Sequence, residues 1–203
     1  MSAQPEMTYS DDEYLAIDRA SETKYEMLHH EIYSMAGASG NHNRIMFNVN
    51  GTMGVQLRGK PCSGFSSDMR LKIRRGTYYY PDITVVCGDT EIVKDSYKDT
   101  LLNPTLVVEV LSPSTADFDQ TKKFADYRTL SSLQEVVFIS QDVRRIARYL
   151  RGENGDWLFR EITQRGETID LSSIGCTLAV DDVYDKVDIE EDPEAAQIVS
   201  TGE

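Results

Sequence analysis

A chain of 203 residues, 40% hydrophobic and 27% charged, is long enough for one generous core and too apolar to be disordered. Its formal net charge of −13 speaks against the broad basic surface on which most nucleic-acid binding rests. No apolar run approaches the roughly 20 residues that span a bilayer, and residues 1–12 lack the basic-then-apolar order of a signal peptide, so a cytoplasmic protein is expected.

Ser10 and Asp11 open the first predicted helix, over residues 11–19, with Tyr14, Leu15 and Ile17 turned inward. Extended chain is expected over residues 25–35. Within a strand, the adjacent His29 and His30 would point to opposite faces and could not share a metal. After a break at residues 37–40, Ile45, Met46, Val49, Met53 and Leu57 recur at helical spacing up to Gly59, in a helix weakened by Gly51 and Gly54. Three neighbouring strands are predicted at 65–73, 78–87 and 105–111, separated by loops containing Gly76, Gly88 and Asn103-Pro104. Residues 117–130 return to a helical pattern carrying Phe124, Tyr127 and Leu130. Strands at 135–140, 144–151 and 157–163 follow, the last two joined as a hairpin through Gly152-Glu153-Asn154-Gly155. Helices, then strands, a crossover helix and more strands fit one α/β or α+β domain around a mixed sheet. Cys62, Cys87 and Cys176 are odd in number and lack CxxC spacing, so they predict neither a disulfide framework nor a zinc site and read as small buried residues.

Charge is unevenly spread. Much of the acid lies in Asp11-Asp12-Glu13 and in residues 181–194. Between residues 58 and 75 the chain carries Arg58, Lys60, Arg70, Lys72, Arg74 and Arg75 against Asp68 alone, which predicts either a phosphate-facing strip or a solvated strand face. The aromatic run Tyr78-Tyr79-Tyr80 and exposed strand edges would suit a homodimer.

Glu109 lies in Leu106-Val107-Val108-Glu109-Val110-Leu111, a run so apolar that both faces of the strand should be covered. An unpaired carboxylate there costs on the order of several kcal/mol, so a metal, a cation or a raised pKa is expected beside it. A buried salt bridge, to Lys123 or an arginine, would meet the same need without catalysis. Asp82 opens an equally apolar strand just behind Pro81, where an acid also serves as a turn residue. If the two strands are neighbours, both carboxylates can converge on one hard cation, able to polarise a phosphate and acidify a bound water.

Pro81-Asp82, a connection and Glu109 in an apolar strand resemble the PD-(D/E)XK nuclease signature. The likeness widens with Tyr25-Glu26, His42-Asn43, Ser67-Asp68-Met69-Arg70, residues 108–115, and Lys123 with Tyr127. Together, from about Tyr14 to Val187, these resemble the Uma-type family of restriction-endonuclease-like proteins. The resemblance implies that fold, a Mg²⁺ or Mn²⁺ site and DNA as substrate. One departure stands out: the lysine of the general signature, two positions after Glu109, is Leu111 here. In the resembling family a lysine of the following helix takes its place, which implies Lys123. A long ammonium can reach a phosphate or the attacking water from a helix beside the strand. Otherwise Lys123 would merely pair with Asp119 on an exposed face, as Lys122 would with Asp126. Glu26 and Asp68 match further acidic positions, at the edge of the metal site, although Asp68 on a strand face with Arg70 and Lys72 equally suits a surface ion pair. His42 is an acid, base or phosphate contact, or a local hydrogen-bonding residue near a helix start.

The expectation is therefore a restriction-endonuclease-like α/β (α+β) fold, a mixed central sheet flanked by helices with a C-terminal β-hairpin extension. Residues 1–10 form a polar leader, 11–188 the domain and 189–203 an acidic flexible tail. The expected activity is Mg²⁺- or Mn²⁺-dependent cleavage of DNA. Asp82 and Glu109 are the metal ligands, and Lys123, Glu26, Asp68 and His42 complete the site. The competing reading is an inactive scaffold of the same fold that holds protein or nucleic acid. A serine or cysteine hydrolase is disfavoured, since no GxSxG segment is present.

Overall fold

The computed structural model describes residues 8–35, 37–94, 98–113 and 115–189. Most of the expected leader, residues 1–7, and the tail from residue 190 lie outside the described residues. Helix α1, Asp11–Ala20, starts at a capping box in which Ser10 accepts the Glu13 N–H while the Glu13 carboxylate accepts the Ser10 N–H. Its buried residues are Tyr14 and Asp18, with Leu15 and Ile17 only half-buried. Strands β1, Tyr25–Leu28, and β2, Glu31–Ser34, form a hairpin turned by His29 and His30, whose φ values of 49° and 71° are left-handed. Two left-handed central residues make the tight hairpin turn whose twist matches the strands. The two histidines are thus turn residues. Gly76, at φ 74°, is required there twice over, because a side chain on it would also collide with the His30 ring.

Helix α2, Gly40–Gln56, is capped by Ser39, which accepts the His42 N–H, and it buries Ile45, Val49 and Met53. Strands β3, Cys62–Ser66, β4, Arg70–Arg74, β5, Thr77–Tyr79, and β6, Ile83–Cys87, come next. The predicted strands at 65–73 and 78–87 are each two strands, assigned to different sheets. A turn closed by the Met69 N–H on the Ser66 carbonyl interrupts the first. Pro81, with no N–H to give a ladder, interrupts the second.

Strands β7, Ile92–Val93, β8, Thr100–Leu101, and β9, Leu106–Leu111, lead into a continuous helical run: α3, Ala116–Phe118, a π-helical turn Asp119–Lys123, and α4, Phe124–Tyr127. Strands β10, Glu135–Ser140, β11, Ile146–Arg151, and β12, Trp157–Ile162, follow. A further hairpin of β13, Thr168–Leu171, and β14, Cys176–Ala179, precedes the short α5, Val180–Val183.

Two six-stranded mixed sheets result, ordered β2-β1-β5-β4-β8-β7 and β12-β11-β10-β9-β6-β3. In the second, β9 and β10 are parallel, so the chain must cross over between them, and the helical run of α3 and α4 makes that crossover above one face. That face packs Val107, Leu111, Val136 and Phe138 against Phe124 and Tyr127 and against Leu71 and Tyr79 of the first sheet. The opposite face packs Val85, Val108 and Ile139 against α2, β13, β14 and α5. Strand β9 is consequently buried along its whole length, as its composition predicts. The described residues include no helix long and apolar enough to cross a membrane.

Two expectations are corrected. Cys62 and Cys87 form a disulfide, because β3 folds back antiparallel on β6 and sets them directly opposite, 4.0 Å apart at Cα. Spacing along the chain cannot show such a cross-strand pairing. On chain entropy alone, closing the intervening 25-residue separation contributes roughly 3 kcal/mol. Cys176 is a buried free thiol, as expected. Tyr78, Tyr79 and Tyr80 are all buried, so they offer no dimer surface.

Asp18 ties α1 to both sides of the sheet junction. Its fully buried carboxylate accepts from Arg70 at 2.7 Å, from the Tyr80 hydroxyl at 2.6 Å, from the Tyr25 N–H at 3.1 Å and from Lys98 at 3.2 Å. Removing it takes the opposing carboxylate from the Arg70 guanidinium, which is 1% exposed and keeps its hydrogen bonds to Thr100 and the Lys98 carbonyl. Asp18→Ala is expected to lower the unfolding free energy by about 3–5 kcal/mol. Urea denaturation checks this, and a loss below about 1 kcal/mol would show that water or Thr100 replaces the carboxylate.

Candidate active site

A cavity of about 420 Å³ opens where the helical crossover, α2 and the junction between the sheets meet, and Glu26, His42, Asp82, Glu109, Asp119 and Lys123 all line it. Each arrives from a different piece of chain. Asp82 stands at the step from β5 to β6, where Pro81 leaves it free of strand pairing on the N-terminal side. One of its oxygens accepts the Val110 N–H at 2.7 Å and the other lies 3.1 Å from His42 Nε2. Since β6 and β9 are antiparallel neighbours with Ile83 opposite Val108, Asp82 comes level with Glu109 and Val110. The predicted adjacency of the two acidic strands is what brings their carboxylates to one cavity.

Glu109 is 5% exposed. Its Oε1 accepts a hydrogen bond from the Tyr127 hydroxyl and lies 3.6 Å from Lys123 Nζ, while Oε2 takes part in neither contact. Lys123 lies 3.1 Å from Glu26 and 3.5 Å from Asp119, with its ammonium 5.2 Å from the centre of the Tyr79 ring. Glu26 also accepts the Tyr80 N–H at 2.9 Å, which fixes it to the residue before Pro81. Asp119, Lys123 and Tyr127 are four residues apart and meet the same carboxylate cluster from one side of the crossover. The intervening turn is widened, with the Phe124 N–H bonded to the carbonyl five residues back, at Asp119. Such turns recur at functional sites because they re-aim side chains that an α-helix would place elsewhere.

Electrostatically the cluster is short of positive charge. Four carboxylates, Glu26, Asp82, Glu109 and Asp119, face one ammonium and one imidazole. Burial pushes the Glu109 carboxyl up to about 8; the Lys123 charge opposes this, and the nearby Asp82 and Asp119 add to it. Burial also works against the Lys123 ammonium, but Glu109, Glu26 and Asp119 outweigh it and hold its pKa well above the ordinary lysine range. His42 follows the same balance: burial disfavours its charge, yet the hydrogen bond and charge of Asp82 raise its pKa overall. Its backbone N–H donates to the Ser39 cap of α2, the local bond expected near a helix start, while its ring reaches Asp82.

Five of the six predicted site residues, Glu26, His42, Asp82, Glu109 and Lys123, are therefore brought together. Asp68 is not among them. It sits in the turn between β3 and β4, its side chain is 83% exposed, and it pairs with Lys24 at 2.6 Å. The expected Lys123–Asp119 pair exists, but it is buried within the site and not on an exposed face. The basic strip of residues 58–75 is largely engaged inside the molecule: Arg70 with Asp18, Lys72 with Asp11, Arg74 with Asp126, and Lys60 with the Ile174 and Gly175 carbonyls. Sequence reasoning missed Asp119 and Tyr127 as site residues. Their spacing of four on either side of Lys123 is the signal that points to them.

The Uma2 family, described as "Putative restriction endonuclease", matches residues 11–181. Two Synechocystis proteins of the strain PCC 6803, both described as uncharacterized, are similar to the chain. One, sll1609, is 36% identical over 161 residues, covering 79% of this chain and 90% of that protein. The other, slr1290, is 33% identical over 176 residues, covering 86% and 90%. A crystal structure from Anabaena variabilis, titled as a putative nuclease belonging to DUF820, superposes with a TM-score of 0.68 at 16% identity, over 88% of this chain and 98% of that one. At that identity the superposition bears on the fold.

The raised Glu109 carboxyl makes stability depend on pH. The unfolded chain releases this proton near its ordinary value of 4.5, while the folded protein keeps it up to about 8. Stability from this group is thus fully present below about 4.5 and falls as pH rises through that window. Glu109→Gln is expected to remove this slope in metal-free buffer, as followed by urea denaturation across the pH range. An unchanged slope would place the titration elsewhere.

Proposed function

The chain belongs to the Uma2 family, and from that premise we propose that it is a divalent-metal-dependent DNA endonuclease in which Asp82 and Glu109 hold Mg²⁺ or Mn²⁺. The observation that carries this reading is the meeting of Asp82, Glu109 and Lys123 in one cavity with an excess of buried carboxylate. The residues suit a hard cation. All the acidic groups offer oxygen, and the elevation of Glu109 marks a place where one more positive charge would be stabilised. Among the described residues no three histidine, cysteine or acidic side chains form a ready cage. Mg²⁺ is ordinarily held by one or two carboxylates and keeps several waters, so Asp82 and Glu109 would hold it with water completing its shell. Such an ion supplies a polarised phosphate and a more acidic bound water.

The chain's own residues do the rest. The Val110 N–H and His42 fix the two oxygens of Asp82, and the Tyr127 hydroxyl fixes Oε1 of Glu109. Lys123, held from below by Glu26, presents a charge that no ordinary pH removes, placed to stabilise the negative charge that develops on the phosphate. Its origin on the crossover helix, and not two residues after Glu109, leaves the same ammonium at the same carboxylate. A second reading, an inactive scaffold with Glu109 neutralised by Lys123, is favoured by the net charge of −13.

Plasmid nicking with Mn²⁺ and Mg²⁺ separates the two. Asp82→Asn and Glu109→Gln are expected to abolish both nicking and calorimetric metal binding, and Lys123→Ala to slow nicking by about 100-fold or more. A wild type that neither binds metal nor nicks sinks the nuclease reading. Because an ion must displace the Glu109 proton below about pH 8, its affinity is also expected to rise up to tenfold per pH unit between pH 6 and 8. A flat profile would mean that Glu109 is not a ligand.

A further inference from the structure

The face of the second sheet that carries Glu109 continues outward past the crossover helix. Across the register, Glu109 stands opposite Phe138, Phe138 opposite Ala147, and Ala147 opposite Glu161; in the next row Val136 stands opposite Tyr149 and Tyr149 opposite Phe159. A connected series of rings runs along this face from beneath the helix to solvent. Phe124 lies 4.3 Å from Tyr149 and 5.4 Å from Trp157, and Tyr149 lies 5.1 Å from Phe159, which is 56% exposed. The edge strand therefore ends the series on an open ring face at Phe159.

Charge indicates what that face would take. Arg128 lies over Phe124, Arg151 lies over Trp157, and Arg145 borders the cleft beside Tyr149 and Phe159. Arg145 is held by one loose pair with Glu161 at 3.7 Å, and nearly half of its side chain is open to solvent. Three arginines thus stand among these rings against one acid in the cleft wall, Glu161. Aromatic rings for bases and cations for phosphates are the two elements of single-strand recognition. The cleft also adjoins the candidate site along the chain. Leu111 and Gln120 wall the cleft, while their neighbours Ser112 and Asp119 wall the cavity that holds Glu109.

We propose that Phe159, backed by Tyr149 and flanked by Arg145, forms a stacking platform that holds a single-stranded stretch of nucleic acid leading into the Glu109 cavity. The proposal rests on the nuclease reading for its direction, but binding at this face can be measured without cleavage. Three inter-strand spacings of about 4.8 Å separate Glu109 from the Glu161 row, a span of about 14 Å that two or three nucleotides cover.

Trp157 is the chain's single tryptophan and lies within the aromatic series, so its emission reports on this face. The test is a titration of the full chain with oligothymidylate in EDTA, following Trp157 emission and, with a fluorescein-labelled strand, anisotropy. Saturable change in Trp157 emission is expected, with affinity about tenfold weaker in Phe159→Ala and restored in Phe159→Tyr. Arg145→Gln is expected to flatten the dependence of log affinity on log salt by about 0.7. Substituting the exposed Phe159 leaves the buried rings in place, and circular dichroism checks that the fold survives. Binding that leaves Trp157 unchanged and Phe159→Ala unaffected would overturn the proposal, and so would an absence of binding. A Phe159→Ala effect confined to the sedimentation of the free protein would overturn it in favour of a second copy on this edge. Glu109-dependent nicking that ignores Phe159 removes the platform and leaves the nuclease. A full Trp157 response without nicking does the reverse.

Discussion

Burying Glu109 in the middle of β9 takes a carboxylate out of water, which costs on the order of several kcal/mol unless opposite charge and hydrogen bonds replace the solvent. The surrounding elements are arranged around that requirement. Tyr127 supplies the hydrogen bond and Lys123 the charge, both from the helix that must cross over because β9 and β10 are parallel. The crossover is a topological necessity, and the site uses it to deliver a cation to the strand it covers. Lys123 is in turn too well supplied with carboxylates to neutralise any single one, so Glu109 remains partly uncompensated. A protein that needed only a stable core would gain by replacing this cluster with apolar side chains of similar volume.

The second constraint is the step at Tyr80-Pro81-Asp82. Tyr80 belongs with the first sheet through its hydroxyl on Asp18 and its N–H on Glu26, while Asp82 belongs with the second through the Val110 N–H. Proline between them cannot join either ladder and so permits the chain to change sheets. Glu26 and Asp82 are consequently held by consecutive points of one short segment, and Asp18 with Arg70 anchors that segment from behind. Geometry at the cavity is therefore only as rigid as a buried ion pair on its far side.

What could be read from the chain follows from the range of the forces involved. The apolar run around Glu109, the helical spacing of Ile45, Val49 and Met53, and the turn at residues 152–155 are local signals, and each element formed where they lie. The displaced role of Lys123 came from resemblance to the family; its ammonium does lie 3.6 Å from Glu109, a placement that a purely structural salt bridge would share. Breaks inside long β-rich stretches were less legible. Both 65–73 and 78–87 keep strand-like composition throughout, and only the packing of two sheets decides where each is divided. Buried pairings between distant residues were not legible at all. Asp18 with Arg70, and Cys62 with Cys87, are each far apart in sequence and carry no periodicity that links them. Asp68 was misplaced for the same reason: alternation put it on a strand face with Arg70, whereas a turn there sends it to Lys24 in solvent. The C-terminal β-hairpin expected of the fold is present as β13-β14, whereas its bounds and the short α5 went unread, because these segments carry little pattern of their own and are ordered by packing against α2.

A net charge of −13 weighs against any nucleic-acid substrate, yet charge acts over a limited distance. At about 0.1 M salt the screening length is about 10 Å, so what a phosphate meets is set by the groups within reach and not by the total. Several of the acids are already engaged: Asp11 holds Lys72, the Gly76 N–H and the Tyr78 hydroxyl, and Asp126 holds Arg74 and Tyr79. The basic strip of residues 58–75 is engaged with them, which removes the most obvious phosphate-binding surface as well. Under the proposed reading the substrate must then be held by means other than a wide basic face: a cation recruited by the excess carboxylate at Glu109, and stacking on rings that carry no net charge. A chain built this way would bind nucleic acid weakly when stripped of metal and with a shallow dependence on salt, since few counterions are released. The acidity is then no contradiction of the chemistry. It selects which of the available forces can hold the substrate.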